Sequence, residues 1–258
     1  MDACYVKVLP AISYIVAQAC MCNPIALRSK CLTRIFYACD AHGSEIVWKK
    51  FLQMGGYHKA DVLMMCGDLT GKAIVPIVKR KDDEWYYAPL GKEEVAHSAD
   101  EVKAVMDKMR GRGWYPFETT PKEVEELKAH PNEVSERFTA MMKDALSGWL
   151  EMANGLDKGI KVIVSPGNDD RFEIDEVLKA NERIIYPLDT VVDIDGIHQL
   201  ITCEWTNPTP WNTPRQCSEE ELRKKLEREF KRVDKYESLI CNLHAPPLNT
   251  VLDVAPKL

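Results

Sequence analysis

The stretch that most constrains this chain is Arg34-Ile35-Phe36-Tyr37-Ala38-Cys39-Asp40-Ala41-His42-Gly43, where a β-prone apolar run stops at a carboxylate and an imidazole two positions apart. A buried strand is rigid, and a polar residue at its C-terminal tip inherits that rigidity at the sheet edge where open α/β folds bind ligands. Taken alone, the stretch has a second reading, in which Asp40 caps a helix starting near Ser44 and His42 lies on the surface. Three later stretches repeat the pattern. Residues 61–66 run into Gly67-Asp68-Leu69-Thr70-Gly71, and 161–165 run into Pro166-Gly167-Asn168-Asp169-Asp170-Arg171. Residues 238–243 run into His244-Ala245-Pro246-Pro247. Four polar strand tips in one chain are far less expected by chance than any one of them.

Between the first two strands, 44–54 has helical spacing, with Ile46, Val47, Phe51 and Leu52 on one face and Gly55-Gly56 as its stop. Strand, helix and strand in succession predict a βαβ unit, and with it an α/β fold. Residues 73–78 and 84–88 predict a hairpin across a charged turn at 79–83. Helices are expected over 98–110 and 120–154, the second opened by Pro121 and interrupted by Pro131. Trp114-Tyr115-Pro116-Phe117 reads as an aromatic connector packed beneath them. A helix over 174–181 precedes a hairpin whose arms, 191–194 and 197–203, flank Asp195-Gly196. A loop over 204–215 follows, in which Asn207-Pro208-Thr209-Pro210-Trp211-Asn212 suits either substrate contact or loop architecture. A helix over 218–236 then opens with a Ser218/Glu221 capping box.

At 258 residues the chain is long enough for one large α/β domain or two small ones. A net charge of −6 argues against a partner held by bulk phosphate-backbone electrostatics, so nucleic acid is not indicated. A small phosphorylated substrate stays open, because bound metal would supply the positive charge locally. The nine cysteines include no CxxC pair, and Cys39, Cys66, Cys203 and Cys241 sit in apolar runs, where a thiol acts as a small core residue. Reduced thiols in the cytoplasm are the expectation. Residues 1–31 contain an apolar segment shorter than the ~20 residues a membrane span needs, preceded by a poor positive region for a signal peptide. They read as an extension outside the native domain, which opens near Leu32, and no membrane association is expected.

Asp, His and Asn without a thiolate suit hard-to-borderline divalent ions such as Mn²⁺, Fe²⁺, Zn²⁺ or Ni²⁺, Mn²⁺ being preferred. A central carboxylate, Asp68, would bridge two of them, and a pair ~3.5–4 Å apart clamps a phosphoryl group and activates a water. A doubly wound nucleotide-binding protein is disfavoured, because no GxGxxG or Walker-type loop follows the first strand.

The ordered set Asp40-x-His42, Gly67-Asp68-x-x-Gly71, Gly167-Asn168-Asp169 and His244 resembles the motifs of the calcineurin-like metallophosphoesterases, from about Arg34 to His244. The resemblance implies a four-layer α/β/β/α sandwich of two mixed sheets over 32–258, with 73–160 as a hairpin-plus-helix insertion. It also implies two divalent metal ions: Asp40 and His42 on the first, Asp68 bridging, Asn168 and His244 on the second. The implied activity is phosphomonoester or phosphodiester hydrolysis, with Asn168 and Asp169 beside the reacting group. The competing expectation is an impaired or non-catalytic binding module on the same fold. Two departures favour it. The family has His after the Asn, as an acid toward the leaving group, where this chain has Asp169, which needs a raised pKa for that role. The family also ends in Gly-His-x-His, whereas no His follows His244 here. That absence reads as a C-terminal truncation, with the last strands missing.

Overall fold

The computed structural model describes residues 32–81 and 83–254, so the expectations for 1–31 lie outside the described residues. In chain order the elements are β1 (Ile35–Ala38), α1 (Glu45–Tyr57), β2 (Val62–Cys66), β3 (Ala73–Lys81), β4 (Glu84–Tyr87) and β5 (Glu94–Ala96). Next come α2 (Ala99–Gly111), β6 (Trp114–Thr119), α3 (Pro121–Ala129), α4 (Pro131–Ala153), β7 (Lys161–Ser165) and α5 (Asp175–Ala180). The last are β8 (Val192–Asp193), β9 (Gln199–Cys203), α6 (Glu219–Phe230) and β10 (Leu239–Leu243). The fold is mixed α/β, with three sheets among the described residues, and it divides into two compact units.

The first unit comprises 32–40, Phe51–Leu69 and 155–254. One of its sheets is all parallel, in the order β1-β2-β7, with Ile35 opposite Val62 and Val62 opposite Lys161. Its other sheet is mixed, in the order β10-β9-β8, with β10 parallel and β8 antiparallel to β9. The strand ending in His244 therefore belongs to the second sheet, apart from the three that end in Asp40, Asp68 and Asn168. All of β2 is buried, as its unbroken apolar run requires when both faces are covered. Period-two alternation divides that burial. Val62, Met64 and Cys66 meet Ile163, Val192, Ile194 and Leu200 between the two sheets, while Leu63 points at Gly55 of α1. Each fully buried aliphatic side chain contributes roughly 1.5–3 kcal/mol, so the intersheet core contributes substantially to this unit's stability. Polar groups inside it are paired: the Tyr37 hydroxyl donates to Asn242 Oδ1 at 3.2 Å, and Asn242 Nδ2 donates to Thr202 Oγ1 at 3.3 Å.

The second unit comprises Ala41–Lys50 and the described residues of Thr70–Asn154. Its four-stranded sheet, β5-β4-β3-β6, covers a core of Val75, Ile77, Trp85, Tyr87, Ala96, Val102 and Met109. Trp48 stacks on Trp149 with ring centroids 5.4 Å apart and donates from Nε1 to its carbonyl at 2.8 Å.

Several elements differ from the sequence reading, each for a visible reason. Trp114-Tyr115-Pro116-Phe117 is no connector but the body of β6, parallel to β3. Its proline is tolerated because β6 is an edge strand. The run at 79–81 is strand rather than turn, because Lys79 lies over Trp85 and Arg80 over Tyr86, at 5.0 and 3.9 Å from the ring centroids. Helix α1 passes through Gly55-Gly56 to Tyr57, and a Cβ on Gly55 would reach within 3.0 Å of Leu63, so this glycine serves helix-to-strand packing. Ile46, expected on its buried face, is half exposed. Helix α6 ends at Phe230, well short of Tyr236, and Gln199 Oε1 accepts from the Asp234 and Lys235 N–H groups that follow. In the hairpin after α5, Ile197 and His198 belong to the turn, where Asp195 accepts both of their N–H groups. Five cysteines among the described residues are free; Cys66 and Cys203 are buried, but Cys241 is exposed. Burial pushes the Cys66 thiol up to about 12 and the Cys203 thiol up to about 11.

Candidate metal centre

In the first unit, parallel strands bring their C-terminal ends to one edge, and there the chain turns sharply. Asp40 (φ +56°) and Asp68 (φ +46°) are left-handed, a conformation that Asp tolerates better than most residues. The bend keeps each carboxylate at its strand tip. Asp40 N–H donates to the Gly67 carbonyl at 3.0 Å, and Gly67 N–H donates to the Ser165 carbonyl at 2.9 Å, so neighbouring tips are laced together. The alternative role for Asp40 as a helix cap does not hold: the first turn of α1 is met by Ser44, whose Oγ accepts from Val47 N–H at 3.4 Å.

The glycines of the Gly-Asp and Gly-Asn motifs are there to permit close approach. A Cβ on Gly167 would lie 2.3 Å from the Asp68 backbone N and 2.4 Å from Asp68 Oδ1. A Cβ on Gly67, itself at φ +101°, would lie 2.4 Å from His244 Nδ1. The His244 ring thus rests its Nδ1 edge on Gly67 and turns Nε2 toward the carboxylates.

That turn assembles the cluster. Donor atoms of Asp40, Asp68 and His244 all lie within 4.8 Å of one another. His244 Nε2 is 3.3 Å from Asp68 Oδ1 and 2.8 Å from Asn168 Oδ1. Asp169 contributes its backbone, donating N–H to Asp68 Oδ1 at 3.0 Å. His42, at φ +43°, belongs to the second unit and is not one of the three donors grouped here. Burial by itself would lower the pKa of His244; the bond to Asp68 and the negative charges of Asp68, Asp40 and Asp170 outweigh it and hold the pKa above the ordinary value. A field that favours a proton on His244 equally favours a metal cation in its place.

Two residues outside the expected ligand set hold the centre together. Asp170 is fully buried, and one of its oxygens accepts from Leu69 N–H at 2.9 Å and Gly167 N–H at 2.8 Å, tying the Asp68 turn to the Asn168 turn. Arg215, 1% exposed, clamps the same turn from behind. It donates to the Asp170 and Arg171 carbonyls at 3.0 and 3.1 Å and to Asp175 at 2.6 Å. Asp170 stood in the motif, but its donors, the N–H groups of Gly167 and of distant Leu69, lie outside the Asx-turn pattern in which a side chain bonds two residues on. Arg215 had no local signal, because an arginine in a Pro-rich loop looks solvent-exposed until the turn it clamps is in place.

The donor set of two carboxylates, an imidazole and an amide oxygen fits a divalent cation of the Mn²⁺ to Zn²⁺ range. No family model matches the chain and no curated protein matches it. A solved structure is similar over 83% of this chain and 70% of its own, at 12% identity and a TM-score of 0.39. Among the described residues, no helix is long and apolar enough to cross a membrane.

Proposed function

We propose that this chain is a metal-dependent phosphoesterase on the calcineurin-like plan, with Asp40, Asp68, Asn168 and His244 as ligands in its first unit. The observation that carries this reading is the convergence of Asp40, Asp68 and His244 donor atoms within 4.8 Å at three strand ends. Divalent ions bound there would polarise a phosphoryl oxygen and acidify a water. The protein's own part is positioning. Asp68 is held at its carboxylate by Asp169 N–H, and its turn is held through Asp170. His244 is held against Gly67. Donors fixed by hydrogen bonds in this way lower the reorganisation cost of binding a cation.

The test is Mn²⁺-dependent hydrolysis of a chromogenic phosphomonoester and a phosphodiester by the full chain and by Asp68→Ala, with bound metal measured on both. Turnover in the wild type that disappears, together with the metal, in Asp68→Ala is the expected result. Near-normal turnover in Asp68→Ala would overturn the mechanism. Metal bound without turnover on either ester would transfer the assignment to a non-catalytic metal-binding module.

A further inference from the structure

Asn168 can serve as a metal ligand only through Oδ1, yet its amide is symmetric in shape and could present Nδ2 instead. Something must fix its polarity. Asn168 Nδ2 donates to Thr213 Oγ1 at 2.7 Å, which leaves Oδ1 facing His244 Nε2 at 2.8 Å. Thr213 is buried, 9% exposed, and its hydroxyl donates onward to Gln216 Oε1 at 3.4 Å. The same Oε1 accepts from Thr209 at both N–H (2.9 Å) and Oγ1 (3.1 Å), while Gln216 Nε2 donates to Asn212 Oδ1 at 3.1 Å. The starting point of this chain is the Thr209 backbone N–H, which can only donate. It forces Gln216 to present its oxygen, which makes Thr213 a donor toward Gln216 and therefore an acceptor toward Asn168.

We propose that Thr213 and Gln216 are positioning residues that fix the polarity of the Asn168 amide, so that Oδ1 and not Nδ2 faces the Asp68–His244 cluster. The loop is well placed to do this, because its backbone is bonded to the same turn: Arg215 N–H donates to the Asn168 carbonyl at 3.0 Å. Loss of an outer hydrogen-bond partner of a metal ligand typically costs 10–100-fold in metal affinity, and that is the loss expected here.

The proposal rests on the metal-centre reading, so its test has one readout that needs metal and one that does not. Thr213→Val removes the hydroxyl at nearly constant volume; Thr213→Ser keeps it; Gln216→Leu removes the polarity-setting acceptor one bond further out. Mn²⁺ binding is measured by calorimetry on the full chain, and the Asn168 side-chain amide resonances are followed by NMR in metal-free protein. The expectation is a 10–100-fold weaker Mn²⁺ affinity in Thr213→Val, a smaller loss in Gln216→Leu and recovery in Thr213→Ser. The Asn168 amide resonances should shift in the first two variants and return in the third. Unchanged amide resonances in Thr213→Val would overturn the proposal, as would shifted resonances with wild-type Mn²⁺ affinity. A wild-type chain that binds no Mn²⁺ would overturn the metal reading instead, and the amide resonances alone would then decide whether Thr213 orients Asn168.

Discussion

Replacing Gly167 by Ala adds one methyl group where the structure has no room for it. The new Cβ would stand 2.3 Å from the Asp68 backbone N, 2.4 Å from Asp68 Oδ1 and 2.8 Å from Gly67 Cα. Ordinary contact starts near 3.4 Å, so the gap must open by 3.4 − 2.3, about 1.1 Å. Two of the three obstructing atoms are backbone, and rotamer changes cannot relieve them. The displacement must therefore be taken up by the Asp68 turn or the Asn168 turn, each of which carries a candidate ligand. Forced overpacking of this kind costs typically ~1–3 kcal/mol, and the ligands move apart by a large fraction of a bond length. The prediction is a thermal midpoint lowered accordingly, and Mn²⁺ affinity reduced by at least the ~10-fold that a disturbed ligand support costs. Gly56→Ala is the control: that glycine is also in the first unit, in a helix, with nothing within 4 Å of the added Cβ. It should stabilise the protein by roughly 0.5–1 kcal/mol. Calorimetric unfolding and Mn²⁺ titration on both variants decide the matter. A Gly167→Ala protein with the midpoint and metal affinity of the wild type would refute the argument that close approach dictates the Gly-Asn motif.

Two further perturbations probe the scaffold. Asp195 lies in the β8–β9 turn; burial alone would raise its pKa, but bonds from Thr33, His198 and Ile197 overcome this and bring it down to about 2 from 3.8. The lowered value means stability that is present above pH ~4 and lost as pH falls through the folded-state value, worth about 1 kcal/mol at neutral pH once solvent screening of this partly exposed carboxylate is counted. Asp195→Asn should lose that amount in urea unfolding at pH 7 and converge on the wild type near pH 2; an unchanged gap between those pH values would contradict the sign. Arg215→Met should cost about 3–5 kcal/mol, because it leaves the carboxylates of Asp175 and Glu204 facing an apolar group in a buried place. It should also weaken Mn²⁺ binding, since the Asn168 turn loses its clamp. Wild-type unfolding in denaturant would show that this network carries no net stability.

The elements that could be read from the chain are those with a local cause. Apolar runs with no polar interruption gave β2 and β7, Ser218 with Glu221 gave the start of α6, and Pro131 gave the break between α3 and α4. The polar residues at the strand tips were equally visible, since a carboxylate or an amide directly after a buried strand has few other places to go. What misled the reading was in most cases a distant partner. Aromatic rings on β4 make the basic run at 79–81 into strand, Leu63 makes Gly55 a helix residue, and the Gln199 side chain ends α6 early. The assignment of β10 to a different sheet from β1, β2 and β7 could not be read either, because pairing partners in a parallel sheet are set by packing and not by neighbouring residues.

Sequence by itself therefore determined which residue types stand at the strand ends, and hence the donor chemistry that this edge can offer. Only the tertiary structure decided which of those donors meet and which way each one faces. Asp170 and Arg215 bind the turns together, Gly67 and Gly167 let them close, and Thr213 stands where it can set the polarity of Asn168. Each of these roles depends on atoms dozens of residues apart approaching within about one hydrogen-bond length, a condition that no local stretch of sequence encodes.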